Sequence, residues 1–212
     1  MFHSTPYMFD MSYKKTFILL VTDGTHGDVT ACTNAAKLQW KEQFDEKLGA
    51  VPMGSTSSRV MIGTNKSFCD KGPEELSNVD KMDRLYIVGH GSFGDSPTLG
   101  SKTADQLASY LYANGLRKVA VISLVSCNSG WGWGDILPGN VPQGYSSATH
   151  LPFGCQFAAA LDNEGIHTEV RARVGFVTVG QNGRKFVELT EMKWVNKLIW
   201  VPKGWNKRSW RS

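Results

Sequence analysis

The sequence predicts an α/β fold with a mostly parallel central β-sheet, and residues 83–130 indicate it most clearly. Two short apolar runs, LYIV at 85–88 and VAVISLV at 119–125, are rich in β-branched residues, which is typical of strands buried on both faces. Between them, four apolar residues recur at the spacing of one helix face: Ala104, Leu107, Ala108 and Leu111. A strand, a helix and a strand in this order form a right-handed crossover, which makes the two strands parallel.

The crossover helix has recognisable ends, since Ser101 or Thr103 can cap its start and Gly115 its end. Upstream, TFILLVT at 16–22 predicts another buried strand and RVMIG at 59–63 a short one. Between these two strands we expect a helix that begins at Asp28 or Thr30 and ends at Leu48. The segment before the first apolar run of the crossover is loop-like, with Gly72-Pro73 as a breaker.

The second half of the chain begins with a long irregular segment at 129–154, and loops of that length in compact domains usually serve function. We expect a helix at 155–165 and a strand at 168–179 after it. The turn Gln181-Asn182-Gly183 then leads into RKFVELT, which predicts an antiparallel hairpin.

Length and composition indicate one globular domain. The 212 residues are 41% hydrophobic and 20% charged, which fits a single domain over 1–212 with its core at about 15–190. Residues 191–212 form a basic, Trp-rich tail. A net charge of +4 is too mild to indicate nucleic acid as a partner.

The cysteines and the apolar runs indicate where the protein works. The four cysteines have no CxxC or zinc-ligand spacing, so we expect free thiols and a reducing compartment: Cys32, Cys69, Cys127 and Cys155. No run resembles a signal peptide or reaches the length of a membrane span. The expected location is a cytoplasm, including that of a host cell into which the protein is delivered as an effector or toxin.

A histidine and a cysteine follow the two crossover strands. Because parallel strands end at the same edge of a sheet, His90 and Cys127 are delivered to one rim. A thiol that attacks a peptide carbonyl needs a base and hydrogen-bond donors for the oxyanion. Cys127 is the candidate nucleophile and His90 the base, and the amides of Gly91 and Cys127 are the candidate donors.

An apolar strand ending in His-Gly, a helix, and an apolar strand ending in Ser-Cys resemble the clan CD cysteine peptidases, which include caspases, legumain, clostripain, gingipain and toxin self-processing domains. The resemblance covers residues 83–130 by motif and 153–179 by topology. It implies a three-layer caspase-like fold with helices on both sheet faces and a C-terminal antiparallel hairpin. It also implies a cysteine endopeptidase, acting on another protein or on its own chain, whose oxyanion hole is formed by Gly91 and Cys127. Some clan members have an Asp that orients the histidine, and Asp23 is the candidate for this role.

In related peptidases the loop after the cysteine and the next strand line the pocket for the residue before the cut. The corresponding candidates here are Trp131, Trp133, Asp135, Arg171 and Arg173. Asp135 would favour Arg or Lys in the substrate, whereas the two arginines would favour an acidic residue. Strand alternation places Arg171 and Arg173 on the same face, which either lines the pocket or faces solvent.

The tail supplies a candidate anion site or a solvated terminus. Its basic and aromatic residues are Lys203, Trp205, Lys207, Arg208, Trp210 and Arg211. No cofactor is required by the predicted chemistry. Toxin self-processing domains respond to an inositol polyphosphate, so the resemblance also allows an anionic activator of that kind.

Other interpretations of these motifs have less support than the peptidase. Residues 89–94 match GxGxxG, but the helix and the acidic residue of a dinucleotide site are misplaced, and GxSxG is absent. His26-Gly27 with Cys32 indicates a helix N-terminal turn, and no metal is expected from His150, Cys155 and His167. A catalytically silent caspase-like binding module stays open as the second functional class.

Overall fold

A computed structural model describes the chain in nine segments: 13–22, 58–63, 72–92, 96–127, 129–130, 151–173, 176–179, 185–188 and 207–211. The helix predicted at 28–48 lies outside them. The single-domain organisation over 1–212 stays a prediction. Within the described residues, no helix is both long and apolar enough to cross a membrane.

Within the described residues, the central sheet has six strands, five of them parallel. Its strands are β1 (Lys15–Leu20), β2 (Ser58–Gly63), β3 (Arg84–Val88), β4 (Val121–Val125), β5 (Glu169–Arg173) and β8 (Lys207–Arg211). Their order across the sheet is β2-β1-β3-β4-β5-β8, with only β8 antiparallel to its neighbour. The strands β6 (Phe176–Val179) and β7 (Lys185–Glu188) form a separate antiparallel pair. The mixed, mostly parallel architecture and the C-terminal hairpin confirm the predicted caspase-like fold class.

Two α-helices follow β3 and β4. Helix α1 (Ala104–Ala113) begins at Thr103, where a capping box with Gln106 satisfies backbone donors at the helix start. It is followed by Gly115, whose φ of 95° suits a residue without a side chain. Helix α2 (Phe153–Asn163) begins two residues before the predicted start. A short 3-10 helix, Pro73–Asn78, begins at the predicted breaker, because proline is well tolerated in a first helical turn.

One face of the sheet carries the hydrophobic core. Alternate strand residues pack with the apolar stripes of α1 and α2 in a single cluster, whose largest members are Phe17, Leu19, Leu85, Ile87, Leu107, Leu111, Phe153, Phe157 and Leu161. The opposite face is apolar near β1 and polar toward β5. Ile18 and Leu20 are buried there, whereas Tyr86, Arg171 and Arg173 are half-buried.

The strand predicted at 168–179 is two strands in the structure. Glu169–Arg173 pairs with β4 and β8, and Phe176–Val179 pairs with β7 in the other sheet. Residues 174 and 175, between the two strands, lie outside the described segments. Apolar continuity therefore predicted the extended backbone correctly but not its change of partners.

Part of the predicted tail belongs to the central sheet, which corrects the predicted limit of the core near residue 190. Lys207–Arg211 pairs antiparallel with β5, with Trp210 opposite Val170. Trp210 packs against the core, and a Cβ added to Gly154 of α2 would lie 2.5 Å from its ring. The indole of Trp210 therefore packs into the space beside Gly154, where a side chain on residue 154 would not fit. The sequence allows one edge strand within residues 192–212, and the structure has a strand at Lys207–Arg211.

Candidate active site

The histidine loop is attached to the carboxyl ends of β1 and β3. Pairing continues past both strands, because the Val21 amide donates to the Val88 carbonyl at 2.8 Å. His90 follows, and its carbonyl accepts the Gly100 amide at 2.7 Å. Gly100 has a φ of +55°, and a Cβ there would lie 2.5 Å from the Val21 carbonyl oxygen. A glycine is therefore required at position 100, whose amide binds the His90 carbonyl.

Beyond His90, residues 91 and 92 pair antiparallel with residues 98 and 99. Gly91 forms an antiparallel bridge with Leu99, and the Ser92 amide donates to the Thr98 carbonyl at 2.9 Å. The hydroxyls of Ser92 and Thr98 lie 2.7 Å apart. These contacts set the direction in which the backbone leaves the sheet edge at His90. The helix begins only at Ala104, so the glycines at 89–94 do not form the phosphate-binding helix start of a dinucleotide site.

The cysteine turn follows β4, is closed by one internal hydrogen bond and is attached to two neighbouring elements. The Ser129 hydroxyl donates to the Ser126 carbonyl at 3.2 Å, which closes the turn around Cys127. The Gly154 amide at the start of α2 donates to the Ser129 carbonyl, and the Gly130 amide donates to the Arg173 carbonyl, both at 2.8 Å. The turn is thus attached to α2 and to the end of β5.

The two loops meet at Gly91. Strands β3 and β4 pair with Val88 opposite Val125, so His90 and Cys127 each lie two residues past register partners. A Cβ on Gly91 would overlap the Cys127 carbonyl oxygen and the Ser126 Oγ. Close backbone approach therefore accounts for a glycine directly after His90. His90 is exposed and Cys127 is half-buried, so both are within reach of a ligand at this edge.

Cys155 is the other described cysteine, and it differs in setting. It is a free thiol on α2, like Cys127 on its turn. Burial raises the pKa of Cys155 above its ordinary value, which lowers its thiolate fraction near neutral pH. Its raised pKa makes Cys155 a natural internal reference for thiol reactivity.

The arginines predicted for the pocket share one sheet face. Alternation on β5 buries Val170 and Ala172 in the core and places Arg171 and Arg173 on the opposite face. Arg171 donates two hydrogen bonds to Glu169, at 2.8 and 2.9 Å, and this interaction raises the pKa of Arg171. Desolvation destabilises the charged form of Arg173 and so lowers the pKa of this side chain.

A third arginine shares that face, at the opposite end of β3 from the active-site edge. The Arg84 guanidinium lies 4.9 Å from the Tyr13 ring centroid and 4.7 Å from that of Tyr86. Its Nη2 donates to Thr16 at 3.2 Å, whereas its buried Nε has no acceptor among the described residues. Burial raises the pKa of Tyr86, which keeps that phenol neutral beside the cation.

Several predicted site residues lie outside the described part of the chain: Asp23, Trp131, Trp133 and Asp135. Their roles stay predictions. His150 also lies outside it, and the described residues contain no group of three or more His, Cys, Asp or Glu able to hold a metal ion.

Sequence reasoning missed Ser129, Gly100 and the Arg84 cluster. Ser129 had a usable signal, because a serine three residues after a turn carbonyl often bonds back to it. Gly100 lies next to Ser101, which also has a positive φ, of 62°, and adjacent left-handed residues have no distinctive sequence mark. Arg84 is placed beside Tyr13 only by the pairing of β1 with β3.

The fold and this sheet edge define a class of protein, the cysteine peptidases of clan CD. The chain belongs to the peptidase C80 family, a clan CD family whose model matches residues 12–188. It is therefore a cysteine-type endopeptidase, which has protein or peptide substrates. Comparison with individual curated proteins gives no significant match.

Proposed function

We propose that Cys127 and His90 form the catalytic dyad of this peptidase. The observation that carries the proposal is the contact of Gly91 with the Cys127 backbone, since it brings the histidine loop and the cysteine turn together. The pairing of Val88 with Val125 supports it, because the two side chains then leave the sheet at the same level.

In the proposed reaction His90 takes the proton of the Cys127 thiol, and the sulfur attacks the substrate carbonyl carbon. The amides of Gly91 and Cys127 donate to the oxyanion that forms. Collapse of this intermediate breaks the C–N bond, and His90 returns the proton to the leaving amine. Water, deprotonated by His90, then hydrolyses the thioester, which releases the acid product and restores the thiol.

The proposed substrate is a peptide segment of another protein or of this chain itself. Both described cysteines are free thiols, which supports work in a reducing cytosol, including that of a cell into which the protein is delivered. A third catalytic residue is not needed for the steps above, and Asp23 stays the candidate if one orients His90.

A peptide-library cleavage profile, with a thiol-reactive peptide probe, tests the dyad. We expect probe labelling at Cys127 and cleavage by the wild-type protein, and loss of both in Cys127→Ala. His90→Ala should lower labelling and cleavage by at least about 100-fold, because general base catalysis contributes about 10²–10⁴. Cys155→Ala is the matched control and should cleave like wild type. Full activity in a folded Cys127→Ala protein would refute the assignment.

We also propose an anionic activator of the inositol polyphosphate kind, bound on the polar face of the sheet. Arg84, Arg171 and Arg173 lie on that face, and register places Lys207 opposite Arg173. The desolvation that lowers the pKa of Arg173 supports it, because a bound phosphate would supply opposite charge to that guanidinium. Glu169 is evidence against an anion at Arg171, because its carboxylate already forms an ion pair with that guanidinium.

Addition of inositol hexakisphosphate is expected to raise the rate of peptide cleavage. Inositol without phosphates is the control for the ring itself. Equal rates with and without the polyphosphate, at ionic strengths matched with chloride, would exclude this activator.

A further inference from the structure

We propose that Ser129 is a positioning residue for the oxyanion hole: its hydroxyl holds the Ser126 carbonyl and thereby aims the Cys127 amide. The proposal rests on the proposed function of Cys127 and assigns a role to a residue two positions beyond it. Ser129 is only 2% exposed, so its hydroxyl contacts protein and not substrate.

The first step is the geometry of one peptide unit. The carbonyl of Ser126 and the amide of Cys127 belong to the same planar group, in which C=O and N–H point in opposite directions. A hydrogen bond that fixes the carbonyl therefore fixes the amide as well. The Ser129 hydroxyl donates that bond at 3.2 Å, from a buried position to a residue that is also 2% exposed.

The second step is the rigidity of Ser129 itself. Its carbonyl accepts the Gly154 amide at 2.8 Å, and the next residue, Gly130, donates to the Arg173 carbonyl at 2.8 Å. A Cβ on Gly130 would lie 2.9 Å from the Arg173 backbone, so the turn is seated closely on β5. The backbone around Ser129 is thus attached to α2 and to β5, and these attachments fix the position of its hydroxyl.

The third step connects this geometry to rate. An oxyanion donor acts in the transition state, so a misaimed amide should lower kcat and leave KM nearly unchanged. Complete loss of such a donor costs about 10²–10³ in kcat, and a misaligned one should cost about 10-fold. Alkylation of the thiol by iodoacetamide needs no oxyanion hole, so it reports the sulfur and its base separately.

The test compares Ser129→Ala, Ser129→Thr and Ser77→Ala with the wild-type protein. Ser77 is a matched control, because its hydroxyl donates to the Glu74 carbonyl three residues before it, at 2.8 Å, away from the site. Each protein is assayed for kcat and KM on one peptide and for the iodoacetamide rate of Cys127, with Cys155 as the internal reference. We expect kcat to fall about 10-fold in Ser129→Ala only, with KM and the alkylation rate within about twofold of wild type.

Restoration of kcat in Ser129→Thr, which keeps the hydroxyl, would support the role. An unchanged kcat in Ser129→Ala would overturn it, and so would equal losses of kcat and Cys127 alkylation, which indicate a disordered turn. If the wild-type protein cleaves and Ser129→Ala cleaves equally, this role alone is wrong. If the wild-type protein cleaves and a folded Cys127→Ala protein cleaves equally, the dyad is wrong and the role of Ser129 falls with it.

Discussion

At the scale of single residues, the proposed active-site edge depends on glycines as much as on the proposed catalytic side chains. Gly91 touches the cysteine turn, and Gly100 holds the His90 carbonyl through its amide. Neither glycine has a side chain to contribute, so chemistry at this edge depends on backbone groups that approach each other closely.

Replacement of Gly91 by alanine should abolish cleavage while the protein stays folded. The added methyl would overlap the Cys127 carbonyl oxygen and Ser126 Oγ, so the two loops would have to separate. We expect kcat/KM to fall at least about 100-fold, because the proposed oxyanion donors, the amides of residues 91 and 127, would be displaced. Activity assays on the purified variant, with circular dichroism to confirm folding, measure this change.

Gly165→Ala is the control for this variant. Gly165 has a φ of +75°, and a Cβ added there would meet no described atom within 4 Å, so alanine is strained but unobstructed. It should lower the free energy of unfolding by about 1 kcal/mol and leave kcat/KM unchanged. Retention of activity in Gly91→Ala would show that this contact is not part of the site.

The sequence predicts His90, Gly91 and Cys127 because they follow apolar runs that a crossover must place side by side. It does not predict that Ser129 is attached to α2 and β5, since those contacts join residues far apart in the chain. Arg84 is a similar case, because its partners Tyr13 and Tyr86 come together only through strand pairing. Local pattern therefore predicts the candidate site residues, whereas the contacts that hold their loops come from non-local packing.

At the scale of elements, β8 and α2 cover the end of the core near β5. Trp210 faces Gly154 and Ala172, and it is joined to β5 by the register of Val170 with Trp210. The apolar periodicity of the helices was sufficient to predict them. The edge strand allowed in the tail had no predicted position, because Trp210 is the single large apolar residue of Lys207–Arg211.

Trp210→Ala should destabilise the protein more than its position near the C-terminus suggests. Removal of a partly buried indole leaves a cavity against α2 and β5, so the free energy of unfolding should fall by about 2–3 kcal/mol. Chemical denaturation measures this change. Met82→Ala is the control, because Met82 is 53% exposed and should lie within about 0.5 kcal/mol of wild type. Equal effects of the two substitutions would mean that β8 adds little to the core.

At the scale of the whole molecule, the sheet has one face that packs the helices and one face that is apolar near β1 and carries three arginines on β3 and β5. The first face packs α1 and α2, and the other brings Arg84, Arg171 and Arg173 together from β3 and β5. Like charges on one surface repel each other, so an anion that binds there should stabilise the folded protein.

Inositol hexakisphosphate should therefore raise the Tm of the wild-type protein. At 100 times its Kd, the expected stabilisation is about 2.7 kcal/mol, decreasing as added salt screens the charges. Arg173→Gln should reduce the shift in Tm. Arg117→Gln, which removes a guanidinium stacked 3.8 Å from the Tyr112 ring centroid, should keep it. An identical shift in both variants would place the anion elsewhere.

The antiparallel edge of the sheet has a consequence for synthesis on the ribosome. Arg173 pairs with Lys207, so the outer side of β5 cannot be completed until residues well beyond it have left the exit tunnel. A nascent chain that stalls earlier would expose the open hydrogen-bonding groups of β5, which recruit other extended chains. The pairing of β8 with β5 therefore forms late in translation. Premature termination before residue 207 should yield aggregates in place of a smaller enzyme.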